Sequence, residues 1–325
     1  MTQPTNSFLK VNGLRLHITE QGEGPLVLLC HGFPETSHAW RHQLPVLAEA
    51  GYRAVAPDLR GYGQSDCPAA VGAYSMRELV ADLLGLLDAL GEDRAVVIGG
   101  DWGASIAWQA ARTHPDRFRA VGALGVPMVQ RAPSKPSDIF PKTDKAWFYT
   151  HYFSVPGVAE RELEADVGTS LCKIYAAGSG AAGRRDDPST PNPFGMLPRG
   201  GGLLDPLPKP RRLPDCLPAE QLACFVSSFE SSGFRGGLNY YRNLDRNWAD
   251  EATMEGRRVE VPALYLVGER DTGLAIPGMQ EIIAAMPVSV PDLRVSRKIP
   301  GAGHWLQQEA PAAVSGALVE FLDSL

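Results

Sequence analysis

Short blocks of consecutive apolar residues alternate along the chain with longer stretches whose apolar positions recur every three or four. Leu26-Val27-Leu28-Leu29-Cys30, ended by His31-Gly32, has the pattern of a strand buried on both faces of a parallel sheet. Ala54-Val55-Ala56, Ala95-Val96-Val97-Ile98, Val121-Gly122-Ala123-Leu124 and Ala263-Leu264-Tyr265-Leu266-Val267 repeat it, and each stops at a Gly or Pro where the chain should leave the sheet. Helical spacing lies between them. Ser75 and Glu78 have capping-box spacing, Leu79, Leu83, Leu87 and Leu90 follow at helical intervals, and Gly91 stops the helix. Strand and helix alternating in this way predict an α/β fold with a mostly parallel sheet flanked by helices.

The rhythm fails between about Met128 and Asn247. Within 178–218, sixteen of 41 positions are Gly or Pro, against 61 of 325 in the whole chain, so this stretch should be mostly loop. After it, Leu222, Phe225, Val226 and Phe229 follow Pro218-Ala219-Glu220 at helical spacing, which predicts an amphipathic helix. Strand-like runs resume at Val261. Residues 1–127 and 248–325 therefore read as one core, and 128–247 as an inserted lid over the sheet's C-terminal edge, where open α/β sheets bind ligands.

Composition narrows the field of partners. With 44% hydrophobic and 21% charged residues the chain should be globular. Its 31 Lys and Arg against 37 Asp and Glu give a net charge of −6 without long runs of one sign, which argues against nucleic acid as a partner. No charged-then-apolar leader and no apolar run of roughly 20 residues is present, so a cytoplasmic protein without membrane attachment is expected. Five irregularly spaced cysteines, none in a C-x-x-C pair, predict reduced thiols and no zinc or other metal site or thioredoxin-like chemistry.

Candidate chemistry gathers at the strand ends. Gly99-Gly100-Asp101-Trp102-Gly103 is a G-x-D-x-G sequence at a strand-to-helix turn, related to the G-x-S-x-G elbow that presents one side chain at the top of a sheet. Asp101 occupies the nucleophile position, although an Asp there can also simply cap the helix. His31-Gly32-Phe33-Pro34 follows the first core strand, where such hydrolases place an oxyanion-hole loop; the expected donors are the N–H groups of Phe33 and Trp102. The plainer reading of His31 and Pro34 is a tight turn. Val267-Gly268-Glu269-Arg270-Asp271 and Gly301-Ala302-Gly303-His304-Trp305 complete the order nucleophile, acid, histidine, with Asp271 preferred to Glu269 as the acid.

These segments, with Asp58-Leu59-Arg60-Gly61-Tyr62-Gly63-Gln64-Ser65, resemble the epoxide hydrolase branch of the α/β-hydrolase superfamily over nearly the whole chain. The resemblance implies an α/β-hydrolase fold with a mainly helical cap, no cofactor, and a small apolar epoxide and water as partners. Tyr152-Phe153-Ser154-Val155-Pro156-Gly157 and Gly237-Leu238-Asn239-Tyr240-Tyr241-Arg242 look like the family's two tyrosine segments. By that match the ring-opening tyrosines are Tyr152 and Tyr241, with Tyr149 and Tyr240 near enough to be confused with them. Trp147 and Trp305, with His31 and Pro34, are plausible substrate-binding residues on the same basis.

A carboxylate attacks a saturated epoxide carbon without first losing a proton, and two phenols can donate to the oxygen that gains charge. The resulting ester needs His304, oriented by Asp271, to activate water. Haloalkane dehalogenases share the Asp, His and Trp of this pattern, but a halide needs no proton and Phe33 offers no side-chain donor. A third reading, of a different class, is a non-catalytic small-molecule receptor on the same fold.

Overall fold

Alternate side chains of the apolar strands feed two separate cores, one on each face of a single sheet. The computed structural model describes residues 3–184, 186–187 and 189–325. Its strands are β1 (Thr5–Val11), β2 (Leu14–Gln21), β3 (Leu26–Cys30), β4 (Arg53–Pro57), β5 (Ala95–Gly100), β6 (Phe118–Leu124), β7 (Ala146–Phe148), β8 (Met196–Pro198), β9 (Ala263–Gly268) and β10 (Leu293–Ile299). Eight of them form one sheet in the order β1-β2-β4-β3-β5-β6-β9-β10. β1 and β2 pair antiparallel, as do β2 and β4, and every later neighbour is parallel. Val27, Leu29, Val96 and Ile98 point to a core shared with Trp40, Leu44 and the C-terminal helix Pro311–Asp323. Leu26, Leu28, Cys30 and Val97 point the other way, toward the helices Met76–Leu90 and Trp102–Thr113. Each fully buried aliphatic side chain of this kind is worth roughly 1.5–3 kcal/mol.

The strands expected from apolar runs all form. β1, β2 and β10 lie outside those runs: they sit toward the sheet edges with many exposed side chains, so no continuous apolar block marks them. The helix Met76–Leu90 ends at Gly91 in the left-handed region, φ 74°, as expected. Its other end differs from the capping box. The Ser75 hydroxyl makes no cap bond; Asn247 reaches in and its Oδ1 accepts the Met76 N–H at 2.9 Å.

Between β6 and β9 lie the helices Tyr149–Ser154, Val158–Ala165, Val167–Gly178, Ala219–Ser232, Arg235–Arg242 and Leu244–Asp250, with β7 and β8 paired as a small ribbon. The stretch 178–218 is irregular apart from a short turn at Gly180–Ala182 and β8. Arg185 and Pro188 within it lie outside the described residues. The boundary read at residue 248 falls inside the helix Leu244–Asp250. There the two connections to the core are clasped together: the Arg131 guanidinium lies 3.9 Å over the Trp248 ring, and the Trp248 indole N–H donates to the Ala132 carbonyl at 2.8 Å. No helix among the described residues is long and apolar enough to cross a membrane.

Candidate active site

The turn after β5 presents Asp101 at the carboxyl edge of the sheet. Asp101 has φ 52° and ψ −119°, a region that costs a non-glycine residue about 1–3 kcal/mol. Its N–H donates to the Leu124 carbonyl at 3.2 Å, and its carbonyl accepts from Ala104 and Ser105 as the helix Trp102–Thr113 begins. Backbones touch around this turn. A Cβ on Gly103 would lie 2.1 Å from the Cys30 carbonyl oxygen, and one on Gly99 would lie 2.0 Å from the Gly103 oxygen. The Asp101 side chain makes no bond to the helix N–H groups, so it does not act as a helix cap.

The carboxylate is shared instead between two neighbours. Oδ1 accepts the Phe33 N–H at 2.8 Å, and Oδ2 lies 3.3 Å from Nε2 of His304. Trp102 opens its helix, where a backbone N–H has no intrahelical acceptor. His304 Nδ1 contacts the Asp271 carboxylate at 3.0 and 3.2 Å, and Asp271 is anchored by the Gly273 N–H at 2.7 Å. The rival acid, Glu269, accepts the Gly301 N–H at 3.0 Å and so holds the turn before the histidine. The Asp101 side chain is 18% exposed and that of Asp271 only 1%, so only the first is open to a reacting molecule. Burial alone would lower the His304 pKa, but Asp271 and Asp101 outweigh it and hold the imidazole well above its usual value. Nε2 makes no well-aligned hydrogen bond among the described residues.

Tyr152 and Tyr149 are held differently. The Tyr152 hydroxyl is engaged by the insertion itself, donating to Glu162 Oε2 at 2.8 Å; burial and that carboxylate raise its pKa. Tyr149, one helical turn earlier, faces Tyr241 with ring centroids 5.8 Å apart. Burial first, then the Asp101 charge, raises the pKa of both Tyr149 and Tyr241. Among the described residues neither phenol donates to a protein acceptor. Tyr241 is wedged among Phe33, Trp102 and Phe153 at 5.6, 5.1 and 4.9 Å. Tyr240 is fully buried and donates to the Arg60 carbonyl at 3.0 Å.

The residues expected to bind substrate are mostly framework. His31 is fully buried, its Nε2 accepting the Leu59 N–H at 3.0 Å while Nδ1 bonds the Gly32 carbonyl. Pro34 is buried, and its carbonyl accepts from the Tyr175 hydroxyl at 3.2 Å. Trp147 sits on β7 beneath the Arg199 guanidinium, its ring 6.4 Å from that of Tyr152. Trp305 is 1% exposed and packs behind His304, its indole N–H donating to the Tyr175 carbonyl at 2.9 Å. Two side chains near the site had no signal strong enough to select them. Phe194 reaches the His304 ring at 5.3 Å from the Gly- and Pro-rich stretch, where one aromatic among turn residues is the only hint. Glu35, in the same segment as Phe33, is held by Gln307 and Gln308; burial and then Asp101 push its carboxyl up to about 7.

An aspartate elbow, an imidazole and a buried acid at the carboxyl edge of this sheet, under a helical insertion, define an α/β-hydrolase, and the profile of the alpha/beta hydrolase fold matches residues 25–311. Epoxide hydrolase A of Mycobacterium tuberculosis is 43% identical over 100% of this chain and 99% of its own length. Bifunctional epoxide hydrolase 2 of Sus scrofa is 38% identical over 96% of this chain and 54% of its own. The solved epoxide hydrolase from an endophytic Streptomyces superposes with a TM-score of 0.94 at 42% identity, covering 99% of this chain and 96% of that one. The chain belongs to the epoxide hydrolase family of the α/β-hydrolase fold.

Proposed function

We infer that this enzyme hydrolyses epoxides to vicinal diols through an ester on Asp101, with Tyr149 and Tyr241 as the proton donors. Oδ1 rests on the Phe33 N–H, so Oδ2 is the attacking atom. It forms a bond to a ring carbon as the carbon–oxygen bond of the epoxide breaks. The departing oxygen takes a proton from a phenol. Neutral His304 then removes a proton from water through Nε2, the resulting hydroxide adds to the ester carbonyl, and the oxyanion sits against the N–H groups of Phe33 and Trp102. Collapse expels the diol oxygen, which takes the proton of the newly formed carboxyl group, and the imidazolium, stabilised by Asp271, returns its proton to the phenolate, so that carboxylate, phenol and neutral imidazole are all regenerated.

The observation that carries this reading is one partly exposed carboxylate with an imidazole 3.3 Å away and two protonated phenols that feel its charge. A dehalogenase would need a second side-chain donor for the halide, and Trp147 lies under Arg199 instead. The five cysteines are free thiols, in keeping with a cytoplasmic setting. The test is mass spectrometry of His304→Gln mixed with a small aryl epoxide. A covalent adduct at one per chain, mapped to Asp101, is expected; free protein alone would refute the ester route.

A further inference from the structure

We propose that Glu309 is a positioning residue for His304, its carboxylate clamping the loop that carries the base onto the end of an insertion helix. The proposal rests on the ester route above. Glu309 closes the short helix Leu306–Glu309 just after the base. Its Oε1 accepts the Trp305 N–H at 3.1 Å, while Oε2 accepts the Gly180 N–H at 2.7 Å and the Ser179 hydroxyl at 3.1 Å. One carboxylate therefore joins the core loop Gly301-Ala302-Gly303-His304-Trp305 to the residues that follow the helix Val167–Gly178.

The surrounding contacts run in the same direction. The His304 N–H donates to the Gly178 carbonyl at 2.9 Å, and Arg270 Nη1 donates to the Gly180 carbonyl at 3.0 Å. The two backbones are in direct contact: a Cβ on Gly180 would lie 2.0 Å from the Gly301 oxygen, and one on Gly303 would lie 2.2 Å from the Gly180 nitrogen. Asp271 fixes the far end of the imidazole through Nδ1, so the path of the loop decides where Nε2 stands relative to Asp101. A shift of about 1 Å at that atom can cost on the order of 10²-fold in a step that needs it. Alkylation does not use the base; ester hydrolysis does.

Glu309→Gln tests this. An amide has one acceptor oxygen and an NH₂ group, so either the Trp305 N–H or the Ser179 and Gly180 donors must face another donor. The two half-reactions are followed by rapid mixing with an aryl epoxide, with His304→Gln in parallel. Expected is alkylation near the parent rate, ester hydrolysis slowed by roughly tenfold or more, and adduct accumulating in the steady state. Ser179→Ala, which removes a single hydroxyl, should show a smaller change in the same direction, and it decides the matter if Glu309→Gln does not fold. If adduct builds up in His304→Gln while hydrolysis in Glu309→Gln, or in Ser179→Ala in its place, stays at the parent rate or falls only in step with alkylation, Glu309 has no positioning role. If His304→Gln yields no adduct either, the ester route fails and this proposal with it.

Discussion

A phenol held far above its usual pKa stays protonated across any working pH, so Tyr149 and Tyr241, the proposed donors, keep their protons wherever the fold survives. Tyr149→Phe and Tyr241→Phe should each slow adduct formation by about 10²-fold or more, within the range of general-acid help. Tyr152→Phe should react near the parent rate and lose about 1 kcal/mol of stability with its bond to Glu162. A large rate loss in Tyr152→Phe alone would reverse the assignment. His304 supplies a second prediction. Its pKa is raised partly by Asp101, and alkylation removes that charge, so the imidazole of the ester intermediate must ionise at lower pH than that of the free enzyme. Because hydrolysis needs the neutral ring, its rate should rise with pH through a midpoint below the one that NMR titration finds for free His304. Equal midpoints would show that Asp101 contributes nothing. The clustering of Asp101, His304 and Asp271 was legible in the sequence because each follows a strand end, where position in the chain fixes position in space. The tyrosines were not, because Tyr149 and Tyr152 lie three residues apart on one short helix. Spacing places both on neighbouring parts of the same face, and only packing against Phe153 and Glu162 separates them.

At the scale of elements, the irregular stretch after the helix Val167–Gly178 is held by a side chain in place of secondary structure. Glu162, on the helix Val158–Ala165, accepts the Leu203 and Leu204 N–H groups at 2.9 Å each while also taking the Tyr152 hydroxyl. The Glu162 carboxylate is seated close over the chain here: a Cβ on Gly202 would lie 2.0 Å from its Oε1. Glu162→Ala leaves two N–H groups without that acceptor, at a cost of about 1–3 kcal/mol for each group that stays buried. The expected result is faster hydrogen exchange at Leu203 and Leu204 and early proteolytic cleavage nearby, with β5 and β9 still protected; unchanged exchange would show that the stretch is held by other contacts. Apolar runs made the central strands legible, because both faces of those strands are buried and every position must be apolar. The same logic hid β1, β2 and β10, whose places nearer the sheet edges allow polar residues. The cap on the helix Met76–Leu90 was misread because its acceptor, Asn247, comes from 171 residues away along the chain.

Across the whole molecule, the two half-reactions draw on different seams between core and insertion. In the proposed route, alkylation needs Asp101 from the core and both phenols from the insertion, so it depends on how the helices Tyr149–Ser154 and Arg235–Arg242 are seated. Ester hydrolysis in that route needs Asp101, His304 and Asp271, all from the core, and meets the insertion where Gly178, Ser179 and Gly180 brace the base and where Phe194 lies 5.3 Å from its ring. The first seam is marked by the Tyr240 hydroxyl on the Arg60 carbonyl and by Gly236, whose Cβ would lie 2.1 Å from the Gly61 oxygen. Tyr240→Phe removes that hydroxyl without changing the ring, and it leaves the Arg60 carbonyl short of one partner. A bond of this kind is worth about 1 kcal/mol, which if lost mainly in the seated arrangement corresponds to about fivefold in rate. Adduct formation in Tyr240→Phe should therefore slow by about that factor while hydrolysis of the preformed ester keeps its rate, the mirror image of the pattern expected for Glu309→Gln. Single-turnover mixing separates the two steps in one trace. Equal slowing of both would mean that the insertion is seated as one rigid body, and that the division of the chemistry between two seams is wrong.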